Sequence, residues 1–126
     1  MLTHDEESLW SQKVIGAAIE VHRVLGPGLL ESTYEEALKI ELESRGIPFE
    51  HQGRFPIVYK GKILKMQRFD IKVANKVTVE LKAREKVPEI AKPKTVSYLR
   101  FSGCRVGLII NFHKPTLVEG VDRVAL

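Results

Sequence analysis

The stretch RVGLIINF, Arg105 to Phe112, is apolar at consecutive positions rather than at alternate ones. A strand of that kind has no face to give to water and belongs inside a sheet covered on both sides. Before it lies KPKTVSYLRFSG, which reads as a helix closed by Gly103, and before that VTVELKA, a strand apolar at every second position. Strand, helix and buried strand make a right-handed crossover, which sets the two strands parallel. Strands near 77–84 and 105–112 are therefore expected to run parallel within an α/β domain.

Upstream the period is 3.6. Leu9, Val14, Ala18, Val21 and Leu25 predict an amphipathic helix over about 6–25, stopped by the GPG at 26–28. Leu30, Tyr34, Ala37, Leu38 and Leu42 predict a second helix over about 30–45, ended by Gly46 and Pro48. From Phe49 the period becomes 2, with strands near 49–59, 62–74 and 77–84, the first two joined by a KGK turn at 60–62. Pro93 costs little in a first helical turn and about 3 kcal/mol in an interior, so the crossover helix should begin at or just before it. TLVEGVDRVAL closes the chain as a short strand or hairpin bent at Gly120. With no repeat, linker or low-complexity segment, residues 1–126 are expected to form a single domain.

No apolar run approaches the roughly 20 residues that span a bilayer, so no membrane partner is expected. The acidic start MLTHDEESLW does not read as a signal peptide, and Cys104 has no second cysteine to pair with, which suits a reducing, cytoplasmic setting. A zinc site built from one Cys and four scattered His is not expected. Charge is uneven: residues 1–50 hold 4 Lys/Arg and 10 Asp/Glu, whereas residues 51–126 hold 16 and 6. Such asymmetry suits either a solvated basic face or a surface facing a polyanion, nucleic acid above all.

In VTVELKARE, Thr78, Glu80 and Lys82 point one way and Val77, Val79, Leu81 and Ala83 the other. In RFDIKV, Arg68, Asp70 and Lys72 alternate with Phe69, Ile71 and Val73. A three-residue loop over Ala74-Asn75-Lys76 pairs position 73 with 77 and matches the faces, with Asn75 suited to positive φ. Asp70 then lies opposite Glu80, and two carboxylates roughly 5 Å apart at Cβ repel unless a positive group sits between them. Lys82, Arg68 or a divalent metal would serve; oxygen donors at this spacing suit Mg²⁺ or Mn²⁺. Spacing alone favours a surface cluster of Asp, Glu, Lys and Arg ion pairs without metal. Glu31 opens the second helix beside the core stripe, as a site acid or as a first-turn complement to the helix dipole.

GLLESTY, Gly28 to Tyr34, resembles the signature of the GxxExxY family of the PD-(D/E)xK nuclease-like superfamily. The similarity extends through GAAIEVHRVLGPGLLESTYEEAL, RFDI, VTVELKA, the SYL helix and VGLIINF. The resemblance implies a restriction-endonuclease-like core: a helix, a three-stranded antiparallel meander, a crossover helix and a parallel strand, here with an extra N-terminal helix. It implies that Asp70 and Glu80 hold the metal with the Leu81 carbonyl, that Lys82 serves the attacking water, and that Glu31 is an additional acid. Where relatives carry Gln four residues before the Tyr of the crossover helix, this chain has Lys94.

Three functions compete. The first is a metal-dependent nuclease acting on nucleic acid, DNA preferred, with Lys65, Arg68, Lys72, Arg84, Lys86, Lys92, Lys94 and Arg100 as candidate phosphate contacts. The second is a nucleic-acid-binding module that retains the fold without turnover. The third is a protein-interaction domain whose polar face is an ion-pair network. Nucleases this small often need two copies to embrace a duplex, which makes a homodimer a candidate assembly.

Overall fold

The structure, a computed structural model, describes residues 3–126, with side chains from Glu6 onward. Helix α1 spans Thr3–Leu25 and α2 Glu31–Ser44. Five short strands follow: β1 (Phe49–His51), β2 (Arg54–Tyr59), β3 (Lys62–Arg68), β4 (Ile71–Val73) and β5 (Val77–Lys82). Helix α3 (Ala91–Ser102) crosses to β6 (Val106–Asn111), and a 3₁₀ turn at Val118–Gly120 leads into β7 (Val121–Ala125). The main sheet has the order β1-β4-β5-β6-β7, and β5 and β6 are its parallel pair, as the crossover argument requires. All six residues of β6 are buried. No helix is long and apolar enough to cross a membrane among the described residues.

Two layers cover the sheet. On one side Val14, Ala17, Ala18 and Val21 of α1 and Tyr34, Leu38 and Leu42 of α2 meet Ile71, Val73, Val77, Val79 and Leu81. On the other, Ala91 and Leu99 of α3 cluster with Cys104, Ile109 and Val124. Helix α3 can lie close because Gly107 has no Cβ; one added there would stand 2.8 Å from Thr78 Oγ1 and 3.0 Å from Thr95. Pro93 sits in the first turn of α3, and Gly103 closes the helix at φ 80°.

Three expectations need correction. Leu9 and Leu30, placed on apolar stripes by periodicity, are 52% and 75% exposed; Leu30 is the residue just before α2 and points off the inner face. The strands expected over 49–59 and 62–74 are each cut in two. The cuts coincide: the Phe69 N–H donates to the Gly53 carbonyl at 3.0 Å and the Gln52 N–H to the Asp70 carbonyl at 2.7 Å. Gln52 takes φ 52°, and a Cβ on Gly53 would run into the Phe69 ring, so the two chains cross tightly at this point. Beyond the crossing β2 and β3 pair only with each other, as a hairpin inserted between β1 and β4. The third correction is Phe69 itself, which turns away from Ile71 and Val73 and stacks near Phe55 on the α3 side.

The register between β4 and β5 is the one that parity requires. Val73 pairs with Val77, Lys72 with Thr78 and Ile71 with Val79. The intervening loop places Ala74 and Asn75 at φ 52° and 55°.

Candidate active site

Strand β5 buries Val77, Val79 and Leu81 and leaves Thr78, Glu80 and Lys82 half-buried on the α3 side. Glu80 and Lys82 are next neighbours on that face, with Lys82 Nζ 3.9 Å from Glu80 Oε2. Asp70 precedes β4 by one residue, where the backbone ladder to β5 stops. Its carboxylate takes the place of the missing strand: Asp70 Oδ2 accepts the Leu81 N–H at 3.0 Å. Asp70, Glu80 and Thr78 line one groove between the sheet and α3. Because a residue's N–H and C=O leave a strand on the same side, the Leu81 carbonyl is turned toward Asp70 as well.

Glu31 opens the first turn of α2, close enough to Lys82, Asp70 and Glu80 for their charges to act on it. Its position is set by the preceding loop: Gly28 takes φ 100°, and the Tyr34 hydroxyl donates to the Gly26 carbonyl at 2.5 Å and accepts the Leu29 N–H at 3.1 Å. The Tyr34 ring stacks on Phe112 at 4.4 Å between centroids, which ties the start of α2 to the end of β6. The Gly, Glu and Tyr of GLLESTY thus have separate tasks. One bends the chain, one presents a carboxylate, one anchors the bend.

The electrostatics are those of a crowded acidic site. Burial pushes the Asp70 carboxyl above its ordinary value; the Leu81 N–H opposes the rise, Glu35 adds to it, and Lys82 and Arg68 oppose it. Glu31 is also pushed up, first by loss of hydration; Lys82 opposes this, while Asp70, Glu35 and Glu80 add to it. Glu31 is nevertheless exposed over much of its surface.

Sequence reading missed Glu35, His51 and Gln52. Glu35 is buried one turn after Glu31, and its Oε2 accepts from Gln52 Nε2 at 2.7 Å and lies 2.5 Å from His51 Nε2. Arg68 Nη2 donates to Gln52 Oε1 at 3.1 Å, so the chain of contacts runs from α2 to the residue two before Asp70. The four-residue spacing of Glu31 and Glu35 was the available signal, since it puts both on one helix face.

The basic candidates divide. Arg68 stands at the rim of the groove. Lys72 instead donates to the Ser102 carbonyl at 3.3 Å and lies 4.9 Å from the Phe69 ring centre, which spends its charge at the end of α3. Lys94 lies 5.6 Å over the Tyr98 ring, and Lys92 pairs with Asp122 at 3.2 Å. Lys86 shares a surface hollow with Glu119 and Asp122, apart from the groove that holds Asp70 and Glu80. Arg84 is exposed, its backbone clamped on both sides by the Asn111 amide, with N–H to Oδ1 at 3.2 Å and C=O from Nδ2 at 2.8 Å.

No three His, Cys, Asp or Glu side chains form a ready-made metal cage among the described residues. The donors on offer are the Asp70 and Glu80 carboxylates and the Leu81 carbonyl. Two carboxylates and a carbonyl, all oxygen, fit a hard divalent ion that keeps several of its own waters, which is how Mg²⁺ is usually held.

A family model described as the PD-(D/E)XK nuclease superfamily matches residues 8–124. Comparison with curated proteins and with solved structures returns no match.

Proposed function

The chain belongs to the PD-(D/E)XK nuclease superfamily, and from that premise we propose that it is a divalent-metal-dependent nuclease of the GxxExxY branch that hydrolyses phosphodiester bonds in DNA. The observation that carries the reading is the Asp70 carboxylate held on the Leu81 N–H while Glu80 and Lys82 share its face. Enzymes of the superfamily generally use divalent metals. Asp70 and Glu80, with the Leu81 carbonyl, would hold Mg²⁺ or Mn²⁺. A bound ion supplies a more acidic water and a counter-charge for the phosphate.

The chain's own residues supply the rest. The bond from the Leu81 N–H orients Asp70 in the groove and leaves its other oxygen to hold the ion. Lys82 holds its ammonium 3.9 Å from Glu80 Oε2, where it would orient a water or a phosphate oxygen. Glu31, with a carboxyl that holds a proton more readily than a free one, can take a proton beside Lys82 and Asp70. Arg68 lies where the backbone on either side of the scissile bond would pass, with Arg84 and Lys94 as further phosphate contacts.

Glu80→Gln tests the reading. The substitution keeps shape and removes the charge that holds the ion. Cleavage of a panel of duplex, single-stranded and branched substrates should fall by on the order of 10³, equivalent to about 4 kcal/mol of barrier. Folding and nucleic-acid affinity should remain. If wild type and variant cleave every substrate equally poorly yet bind them, the chain is a nucleic-acid-binding module that keeps a nuclease fold. Loss of folding in the variant would make Glu80 a structural ion-pair partner.

A further inference from the structure

The β2–β3 hairpin leaves the main sheet at the Gly53–Phe69 crossing and is anchored at its base, where Phe55 packs against Phe69 and, edge-on, Tyr98 of α3. Between Arg54 and Arg68 it carries five cations (Arg54, Lys60, Lys62, Lys65 and Arg68) and no acid. Arg54 faces Arg68 directly across the ribbon, a placement in which like charges repel. None of the five makes an ion pair with a carboxylate among the described residues. The outer half is exposed on both faces, with Val58 39%, Tyr59 59%, Ile63 64%, Leu64 63% and Met66 46% exposed. A ribbon covered on neither side, charged along its length with one sign, is a poor element of a free domain and a good ligand for a polyanion.

We infer that this hairpin is an arm that enters the major groove of duplex DNA beside the scissile bond. The inference rests on the nuclease reading above and names the element that selects the duplex. A B-form major groove, about 12 Å wide, admits a two-stranded ribbon, whereas that of an RNA duplex is too narrow and deep. The lysines face phosphates on the groove walls, and Ile63 and Leu64 lie against sugars and thymine methyls. Arg68, at the base, is two residues from Asp70, so DNA gripped by the ribbon continues toward the carboxylates. A second copy of the chain is the other occupant that would cover these apolar side chains. Ribbon-to-ribbon pairing, however, would set Lys60, Lys62 and Lys65 against their own images with no acid between them.

The test is fluorescence anisotropy with one sequence as DNA duplex, RNA duplex and single-stranded DNA, in EDTA, from 50 to 200 mM salt on the order of physiological strength. K60A/K62A/K65A is compared with wild type and with K13A/K39A/K76A, whose lysines lie on α1, α2 and the β4–β5 turn. The hairpin variant should lose at least about tenfold in affinity for duplex DNA. Its log–log salt slope should become shallower by about 2–3, near 0.9 for each phosphate that the arm no longer neutralises. Its preference for DNA over RNA duplex should vanish, and the control variant should bind like wild type. K60R/K62R/K65R should restore binding, which separates loss of charge from loss of fold. Hairpin variants that bind duplex DNA as wild type does overturn the inference, as does equal weakening on all three polymers. A wild-type dimer that Leu64→Glu splits without touching DNA affinity assigns the ribbon to a second copy and also overturns it. Cleavage assays on the same variants keep the two readings apart. DNA binding that depends on the arm without any cleavage defeats the nuclease alone, and cleavage indifferent to the arm defeats the arm alone.

Discussion

The two faces of β5 are made by alternate residues of one six-residue strand, and they are different materials. Toward α1 and α2, Val77, Val79 and Leu81 are 0–1% exposed within a continuous apolar core. Toward α3, Thr78, Glu80 and Lys82 are half-buried beside a groove that holds Asp70. The dry face gives the strand its fixed position, and the polar face uses that position. Four carboxylates near one another are unfavourable in a free domain. Here Glu31 and Glu35 come from α2, Asp70 from just before β4 and Glu80 from β5, and the apolar core that packs α2 against β4 and β5 holds them together. Substitutions one residue apart should therefore fail in opposite ways.

Leu81→Ala should show the largest effect on folding. It removes a fully buried side chain and should cost about 2–5 kcal/mol. Urea or thermal unfolding measures it, and Lys82→Met, one residue on, should leave stability within about 1 kcal/mol while lowering cleavage. A Lys82→Met variant as unstable as Leu81→Ala would erase the distinction between the faces.

Tyr34→Phe should cost about 1–2 kcal/mol, since the ring keeps its place on Phe112 while the Gly26 carbonyl and Leu29 N–H lose their partner. Because that loop sets Glu31, cleavage should fall by more than the stability loss explains. Unchanged activity would detach Glu31 from the polar face.

Divalent ion should act through the polar face alone. Mg²⁺ at ten times its dissociation constant should raise stability by about 1.4 kcal/mol, read as a shift in the melting temperature. Asp70→Asn should abolish the shift, and Leu81→Ala should keep it.

The smallest effect is in pH. Burial raises the Asp70 pKa above its unfolded value, so without metal the folded chain binds this proton more tightly than the unfolded one. The contribution is therefore full below the unfolded pKa and is lost as pH rises through the folded value. Asp70→Asn should flatten this part of the stability profile, measured in EDTA. A profile that steepens would mean that Asp70 is stabilised as an anion in the fold.

The candidate site was legible where it obeyed local rules. Parity fixed the β4–β5 register, because a shift by one residue would have put Glu80 on the apolar face. It follows that Asp70 and Glu80 share a side of the sheet. Glu35 was not legible, because its partners His51 and Gln52 lie 16 and 17 residues away and neither spacing repeats a helix or strand period. Lys72 read as a free cation because nothing local shows that the end of α3, 30 residues on, comes to rest beside it.

From the sequence alone, hydrophobic period and turn residues determined the helices, the parallel β5–β6 pair around α3 and the face on which Asp70, Glu80 and Lys82 stand. These follow from short-range sterics and from the burial of apolar side chains, which local sequence encodes. Folding in three dimensions decided that the alternating pattern from Phe49 to Val73 breaks at Gly53 and Phe69. A period of 2 continues unchanged through a crossing, and only the approach of the Phe69 ring to a backbone without a Cβ stops the pairing there. It also decided which cations remain free, since a lysine's charge is committed or available according to the carbonyl, ring or carboxylate that folding brings to it.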